Sequence, residues 1–337
     1  MDSRKVGLGI LGFLALAVWS VYFYTKPKLY NYQKTLIVYS YPSFLNAWGP
    51  GPILVKEFEA QCDCKINLVQ VEDSTLILQK LLREREKRVD LVLGLDQLHL
   101  PQAEEKLSWQ PLSELVELLP DREVPAHHFF LPLDWAPLTF IYRKSELKNP
   151  PRSIDDLLKP EYKSTIALQD PRTSTPGLQF LSWISLVKKE NAATFLKQLK
   201  HNIHSISPSW STAYGLFKKK QAKLAYSYLT SPVYHWVEEK DSDYQPIVFK
   251  ESLAVQYEWM AIPEGSSNVP LAKEFIKFLL SDSAQKIVME KNYMFPAQER
   301  IMAQTPFAQL PLVKTFSLQD YATLKMKELL DLWSQVQ

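Results

Sequence analysis

The order of predicted elements constrains the fold of this chain more than any other sequence feature. From Leu36 onward, apolar and β-branched runs alternate with stretches of helical periodicity. The first predicted elements are a strand at Leu36–Tyr41, a helix at Pro52–Ala60, a strand at Ile66–Val71, a helix from Ser74 or Thr75 through Arg88, and a strand at Leu91–Leu93. This βαβαβ order predicts an α/β fold built on a parallel sheet.

Ligands of such sheets bind beyond the carboxyl ends of the strands, where the strand order reverses. The residues at those ends are the first candidates for a binding site: Tyr41, Asp73, Ser74, Gly94 and Asp96. We therefore expect a ligand to contact this edge of the sheet.

A second α/β unit follows an extended, proline-punctuated segment at Phe130–Tyr142. It begins with a strand at Thr165–Gln169 and a helix from Pro176, and the strand-like run Leu253–Ile262 returns to the first unit. We predict two lobes, 34–133 with 256–337 and 134–255. Two lobes joined by extended crossovers are typical of a binding protein that closes about a hinge.

Two loops of the second unit have a hydroxyl residue before proline at a predicted helix start, Thr175-Pro176 and Ser231-Pro232. A helix that begins in this way leaves backbone N–H groups free, and these attract an anion such as a phosphate. The nearby rings of Trp210, Tyr228 and Tyr234 offer faces for a ring or a cation. The alternative is that these are ordinary helix starts beside core aromatic residues.

The charge balance argues against a nucleic-acid partner. The 337 residues include 39 Lys and Arg against 37 Asp and Glu, a formal net charge of +2. No basic stripe with interleaved aromatic residues is present in the sequence. The dense run Lys218-Lys219-Lys220 falls at a predicted helix end, where cations suit the helix dipole.

The N-terminus predicts export. An uncharged stretch from Val6 to Tyr24 follows Arg4 and Lys5, and its length is close to the ~20 residues that span a bilayer. We expect 1–30 to form a signal or anchor segment with a hydrophobic helix, and an uncleaved anchor is preferred over a cleaved signal. The glycines at 7, 9 and 12 match a dinucleotide fingerprint only formally, because no strand precedes them.

The only two cysteines are Cys62 and Cys64, just before a predicted strand. A disulfide would fit an oxidising compartment. Two small residues at a turn, with or without a bridge, remain the simplest interpretation, and no further metal ligands lie nearby in the sequence.

Several blocks together resemble the thiamine-binding periplasmic proteins of ABC importers. The blocks are Trp48-Gly49-Pro50-Gly51-Pro52, Val92-Leu93-Gly94-Leu95-Asp96, Gln169 through Gly177, Trp210-Ser211-x-Ala213-Tyr214-Gly215-Leu216-Phe217 and Ser227 through His235. The resemblance covers about Leu36 to Pro296. It implies a two-lobed type II periplasmic-binding-protein fold, a periplasmic location, and an ABC permease with its ATPase as partners.

The ligand implied by the resemblance is thiamine, thiamine monophosphate or thiamine diphosphate, held between the lobes without a resident cofactor, a metal or a catalytic residue. With the strand-end residue Tyr41, the positions expected to bind it are Asp73, Ser74, Ser174, Thr175, Trp210, Tyr228, Leu229, Thr230, Ser231 and Tyr234. Two positions depart from the family: Ser74 replaces a glycine, and Leu229 replaces a polar residue. A backbone N–H would then have to supply the contact at Leu229.

Two other functions compete with this hypothesis. A ferric-ion binding protein of the same fold could use Tyr226, Tyr228, Tyr234 and His235 as ligands, although no adjacent tyrosine pair is present. A thiaminase-like enzyme would need a cysteine in the cleft, whereas Cys62 and Cys64 are expected at the far end of their strand.

Overall fold

The structure is a computed structural model that describes residues 34–119 and 127–336. Thr35–Gln337 forms one compact unit. The predicted hydrophobic helix at 6–24 lies outside the described residues. Within the described ranges, no helix combines the length and the apolar character that crossing a membrane requires.

The described chain alternates strands and helices, as the sequence predicts. The strands are β1 Thr35–Ser40, β2 Lys65–Gln70, β3 Leu91–Asp96, β4 Leu131–Arg143, β5 Ile166–Gln169, β6 Ile203–Ser207, β7 Leu224–Tyr228, β8 Tyr244–Pro246, β9 Val255–Ala261 and β10 Phe295–Pro296. The helices are α1 Pro42–Leu45, α2 Pro50–Gln61, α3 Ser74–Arg83, α4 Leu100–Lys106, α5 Thr175–Lys188, α6 Ala192–Leu199, α7 Trp210–Lys218, α8 Ser231–Tyr234, α9 Val269–Leu279, α10 Asp282–Asn292, α11 Leu318–Tyr321 and α12 Met326–Ser334. Helix α3 ends at Arg83 and not at Arg88 as predicted.

All of these strands belong to one sheet, in the order β2-β1-β3-β9-β4-β7-β5-β6, with β8 and β10 paired to β4. Strand β1 pairs in parallel with β2 and β3, and β5 pairs in parallel with β6 and β7. The predicted parallel pairing of both units is therefore confirmed. Antiparallel strands β9 and β4 join the two groups.

Strand β4 is long enough to belong to both groups. Its residues Leu131–Pro137 pair with β9, and Leu138–Tyr142 pair with β7. We call β2, β1, β3, β9 and the start of β4 the first sheet half, and the end of β4 with β7, β5 and β6 the second sheet half. The segment predicted to carry the chain across is thus a strand, and the predicted return at Leu253–Ile262 is β9.

Each sheet half has its own apolar core. The second core surrounds Trp183, Phe140 and Tyr226, which are fully buried. Helix α12 packs into this second core through Leu329 and Trp333, whereas the predicted boundary assigns 256–337 to the first lobe. Helix α12 also contacts α5, which belongs to the same core.

Cys62 and Cys64 form a disulfide with a Cα separation of 5.2 Å. Cys62 ends α2 and Cys64 precedes β2, so the bridge closes the turn between helix and strand.

Candidate functional site

A cavity of about 680 Å³ lies between side chains of the two sheet halves. Its lining includes Tyr41, Pro42, Ser43, Asn46, Ala47, Trp48, Ile53, Glu72, Asp73, Ser74, Thr175, Pro176, Ser209, Trp210, Ser211, Tyr214, Lys218, Tyr228, Ser231, Tyr234, Glu238, Gln256, Glu258, Lys291, Asn292, Tyr293 and Met294. This volume falls within the usual range of small-molecule sites, about 300–1,000 Å³.

Asp73 and Thr175 connect the two sides of the cavity. The Asp73 carboxylate accepts hydrogen bonds from the backbone N–H of Thr175 at 3.0 Å and from its hydroxyl at 2.9 Å. The same oxygen caps α3 by accepting from the N–H of Thr75 at 3.1 Å. Burial raises the pKa of Asp73 above its ordinary value, and these hydrogen bonds oppose that rise.

Gly177 lets α5 begin this close to the sheet. A Cβ at this position would lie 2.6 Å from the carbonyl oxygen of Gln169, so a larger residue would push the first turn of α5 away from β5. The start of α5, which holds Thr175, is positioned by this close approach.

Tyr41 follows the last residue of β1. Its ring packs against β3 at Gly94, where the backbone of β3 is irregular. Gly94 has φ +101°, and the register between β3 and β9 shifts there. A Cβ on Gly94 would lie 2.5 Å from the Tyr41 ring. Glycine is needed both for the conformation and for the contact.

Behind Tyr41 lies a pair of buried carboxyl groups, Asp134 and Glu258. They are directly opposite each other on β4 and β9, and their exposed fractions are 0% and 3%. The Tyr41 hydroxyl bonds to Glu258, and the Asn292 amide donates to Tyr41 at 2.8 Å and to Asp134 at 2.7 Å. Burial raises the pKa of Asp134 to about 7 and, together with the charge of Asp134, raises that of Glu258 well above its ordinary value.

Another wall of the cavity, which we call the aromatic wall, is formed by Trp210 and Tyr214 of α7 and by Tyr228 of β7. The Trp210 indole N–H donates to the Ser227 hydroxyl at 2.8 Å, which is 2.7 Å from the hydroxyl of Ser231. The Tyr214 ring stacks on Trp210 with centroids 5.1 Å apart, and Tyr228 is tilted against it at 6.3 Å. Hydrogen bonds and stacking therefore hold the Trp210 ring in one orientation.

A buried histidine supports this wall from behind. His235 begins a π-helical turn, stacks on Tyr244 at 3.5 Å and lies 2.9 Å from the Tyr214 hydroxyl. Burial lowers its pKa, against the opposing effect of Glu239 at 2.6 Å. His235 positions Tyr214 and does not line the cavity.

Charged groups surround the outer part of the cavity. Lys218 lies over the Tyr234 ring at 5.0 Å, and Tyr234 meets the ring of Tyr293 edge to face at 5.4 Å. The Tyr293 hydroxyl donates to Glu238 at 3.0 Å. The cavity therefore has carboxyl groups at one side, aromatic faces at the other and lysines near Tyr234, an arrangement that suits a planar cation with an anionic tail.

Eight of the predicted site residues line the cavity together: Tyr41, Asp73, Ser74, Thr175, Trp210, Tyr228, Ser231 and Tyr234. Ser174, Leu229 and Thr230 do not line it. Ser174 and Thr230 are fully buried, and Leu229 packs in an apolar cluster with Val233 and Phe295. Gly94 lies within β3 and Asp96 is its last residue; both are buried and neither lines the cavity.

The helix start at Thr175-Pro176, beside Ser174, is predicted to attract a phosphate, and the observed geometry differs from that prediction. Ser174, and not Thr175, precedes the first residue of α5, and its side chain makes no capping bond. The free N–H of Thr175 is instead taken by the carboxylate of Asp73. A side-chain anion thus already occupies the helix end predicted for a ligand phosphate.

Sequence reasoning missed several lining residues. Gln256 and Glu258 are two residues apart in the apolar strand β9 and therefore lie on the same face of the sheet. Two polar residues at this spacing in an apolar strand were a signal that the sequence offered. Trp48 is 58% exposed at the cavity and lies in a block already noted for its resemblance. Asn292 and Tyr293 at the end of α10 carried no local signal.

Of the residues considered for iron binding, Tyr228 and Tyr234 line the cavity, whereas Tyr226 and His235 do not. Tyr226 is buried between Phe140 and Phe180, and His235 faces Tyr214. Among the described residues, no group of three His, Cys, Asp or Glu side chains could hold a metal ion. The disulfide-bonded Cys62 and Cys64 are absent from the cavity lining.

Comparisons with known proteins agree with this geometry. Residues 102–326 match the model of the bacterial extracellular solute-binding protein family. A thiamine-binding periplasmic protein of Salmonella typhimurium is 38% identical over 271 residues, 79% of this chain and 82% of that protein. A solved periplasmic thiamin binding protein is 32% identical with a TM-score of 0.84, over 90% of this chain and 96% of the other.

More distant structures share the fold alone. The apo ferric ion-binding protein A of Pasteurella haemolytica is 16% identical with a TM-score of 0.75, over 90% of this chain and 98% of the other. The predicted type II periplasmic-binding fold is thus confirmed for the described residues. This chain belongs to the bacterial extracellular solute-binding proteins, in the family of the thiamine-binding periplasmic proteins.

Proposed function

We propose that this chain is the substrate-binding component of an ABC importer, and that it captures thiamine or its phosphates in the cavity between the sheet halves. The cavity provides what such a ligand needs. A thiazolium cation would lie against Trp210 and Tyr228, where each cation–π contact contributes about 0.5–2 kcal/mol. The half-buried carboxylate of Asp73 would accept from the aminopyrimidine amine.

A phosphate group would lie near Tyr234 and Ser231 rather than at Ser174. The hydroxyls of Ser209, Ser211 and Ser231 line this side together with Lys218, and a lysine supplies a point charge for phosphate. The cavity therefore suits thiamine and both of its phosphates, and the titration described below ranks their affinities.

The chain would act without a resident cofactor or catalytic step, outside the cytoplasmic membrane, and deliver its ligand to a permease and its ATPase. If residues 6–24 remain uncleaved, the protein would be tethered to the membrane that holds the permease.

One observation carries the proposal. The same cavity is lined by the Trp210 ring, which a hydrogen bond to Ser227 orients, and by the carboxyl groups of Asp73 and Glu258. The test is calorimetric titration of the purified protein with thiamine, thiamine monophosphate and thiamine diphosphate. Saturable one-to-one binding supports the proposal. A folded sample, free of carried-over ligand, that gives no heat with any of the three would refute it.

A further inference from the structure

Among the described residues, two buried carboxyl groups have no basic hydrogen-bond partner: Glu258, which lines the cavity, and Asp134, which lies opposite it on β4. The hydrogen-bond partners of Asp134 and Glu258 among the described residues are the uncharged side chains of Tyr41, Gln256 and Asn292. One carboxylate oxygen of Asp134 has no partner at all. Two like charges directly opposite on neighbouring strands repel each other, so the pair cannot be fully ionised without an external cation.

The ionisable groups that face this pair are the carboxyls of Asp73 before α3 and Asp96 on β3, the phenols of Tyr41 before α1 and Tyr228 on β7 and, at the cavity, Lys291 on α10. Burial keeps the two phenols uncharged by raising their pKa, and Lys291 is the basic group of this set. The Asp96 carboxylate is already satisfied by the Gln179 amide at 2.6 Å and the Leu98 N–H at 2.8 Å. Lys291 lies 4.0 Å from Glu238 and is directed to that carboxylate.

The carboxyls of Glu258 and Asp73 line the cavity together with the Tyr228 ring of the aromatic wall. Burial raises the pKa of Tyr228 well above the ordinary value, and the charges of Glu258, Asp73 and Asp134 raise it further. The space between Glu258 and Tyr228 is therefore strongly favourable for a positive charge.

We propose that, provided the chain binds thiamine as inferred above, Glu258 with Asp134 is the counter-ion of the ligand's positive charge, and that binding drives the proton held by the pair into solvent. In the unliganded protein the one proton leaves the pair with a single negative charge. In the complex both carboxyls are ionised and the cationic ring offsets the second negative charge, while the released proton is taken up by the buffer.

The proposal is tested by titrating the full chain with thiamine at pH 7 in phosphate and in Tris, whose heats of ionisation differ. The difference in binding heat should correspond to release of roughly 0.5–1 proton for each ligand, and affinity should rise up to about tenfold for each pH unit from 6 to 8. Equal heats in the two buffers, with binding intact, would overturn the proposed proton release and leave the proposed function unaffected. Absence of binding in either buffer would refute both.

The variant Glu258→Gln tests whether the released proton comes from the Asp134–Glu258 pair. Glu258→Gln removes the member of the pair that lines the cavity and would meet the ligand's charge, so proton release should disappear and affinity fall about tenfold. The matched control is Glu117→Gln, an exposed carboxylate outside the cavity lining, which should keep the release. A release that persists in Glu258→Gln would overturn the assignment. The buffer comparison on the unmodified chain decides the exchange itself, even if this variant folds poorly.

Discussion

The carboxylate of Asp73 occupies the N-terminus of α5 through the backbone N–H of Thr175, 102 positions away in sequence. The Thr175 hydroxyl completes the link, since it also lies 3.1 Å from the N–H and 2.9 Å from the hydroxyl of Thr75. Thr175 thus meets both the N-cap of α3, Asp73, and a residue of its first turn, Thr75. This link joins the two sides of the cavity where α3 and α5 begin.

Replacing Thr175 by valine keeps the shape of the side chain and removes this hydroxyl. Because the carboxylate of Asp73 then loses a buried partner, we expect unfolding to become easier by about 1–3 kcal/mol and thiamine affinity to fall. Urea unfolding and calorimetry measure the two effects. Thr173→Val, in the same loop, removes one exposed bond to the carbonyl of Pro208 and is the control. Equal losses in the two variants would contradict a special role for the link.

Trp210→Ala should weaken thiamine binding by about tenfold or more, because it removes the aromatic face for the cation, worth up to ~2 kcal/mol. Trp210→Phe keeps a ring but loses the bond to Ser227, so we expect an intermediate affinity. Intrinsic fluorescence or calorimetry gives the dissociation constants. Wild-type affinity in Trp210→Ala would show that the ligand binds elsewhere.

Gly94→Ala should displace the Tyr41 ring, because the added Cβ would lie 2.5 Å from it and φ is positive. We expect lower stability together with weaker ligand binding. The control is Gly215→Ala in α7, where a Cβ meets nothing within 4 Å and helix propensity favours alanine by up to ~1 kcal/mol. A stable, fully binding Gly94→Ala protein would refute the role of this glycine.

The buried carboxyl pair predicts that stability falls as pH rises. Asp134 has a pKa of about 7 in the folded protein and an ordinary value near 4 when unfolded, so the native state binds more protons between these values. Its contribution is fully present below about pH 4 and is lost as pH rises through about 7, at up to ~1.4 kcal/mol for each pH unit.

Urea unfolding at pH 5, 6, 7 and 8 measures this loss. Asp134→Asn should weaken the dependence over this range, since only Glu258 of the pair then keeps a raised pKa. Asp63→Asn, an exposed carboxylate, should leave it unchanged. A wild-type stability that rises with pH over this interval would contradict the burial-driven shift.

The Cys62–Cys64 bridge should contribute little, because it closes a very short loop and the chain-entropy effect is smallest there, at most about 1–2 kcal/mol. The double serine variant should bind thiamine as the unmodified chain does. An assay of thiamine consumption provides the decisive comparison: a loss of thiamine that disappears with the cysteines would support the enzymatic alternative.

Local sequence was sufficient for the elements and for much of the site. Apolar periodicity predicted the strands and helices, and strand-end logic predicted Tyr41, Asp73 and Ser74, since the carboxyl ends of parallel strands meet at one edge. The helix starts before proline and the rings beside them predicted Thr175, Ser231, Trp210, Tyr228 and Tyr234, and the family resemblance agreed with these positions.

Tertiary structure decided which side chains of those loops face the cavity and which groups meet there. Ser174 and Thr230 are turned into the interior, while their neighbours Thr175 and Ser231 line the cavity. Backbone direction in a loop follows from packing, not from periodicity. The opposition of Asp134 and Glu258 depends on the register of two strands far apart in sequence, which only the assembled sheet determines.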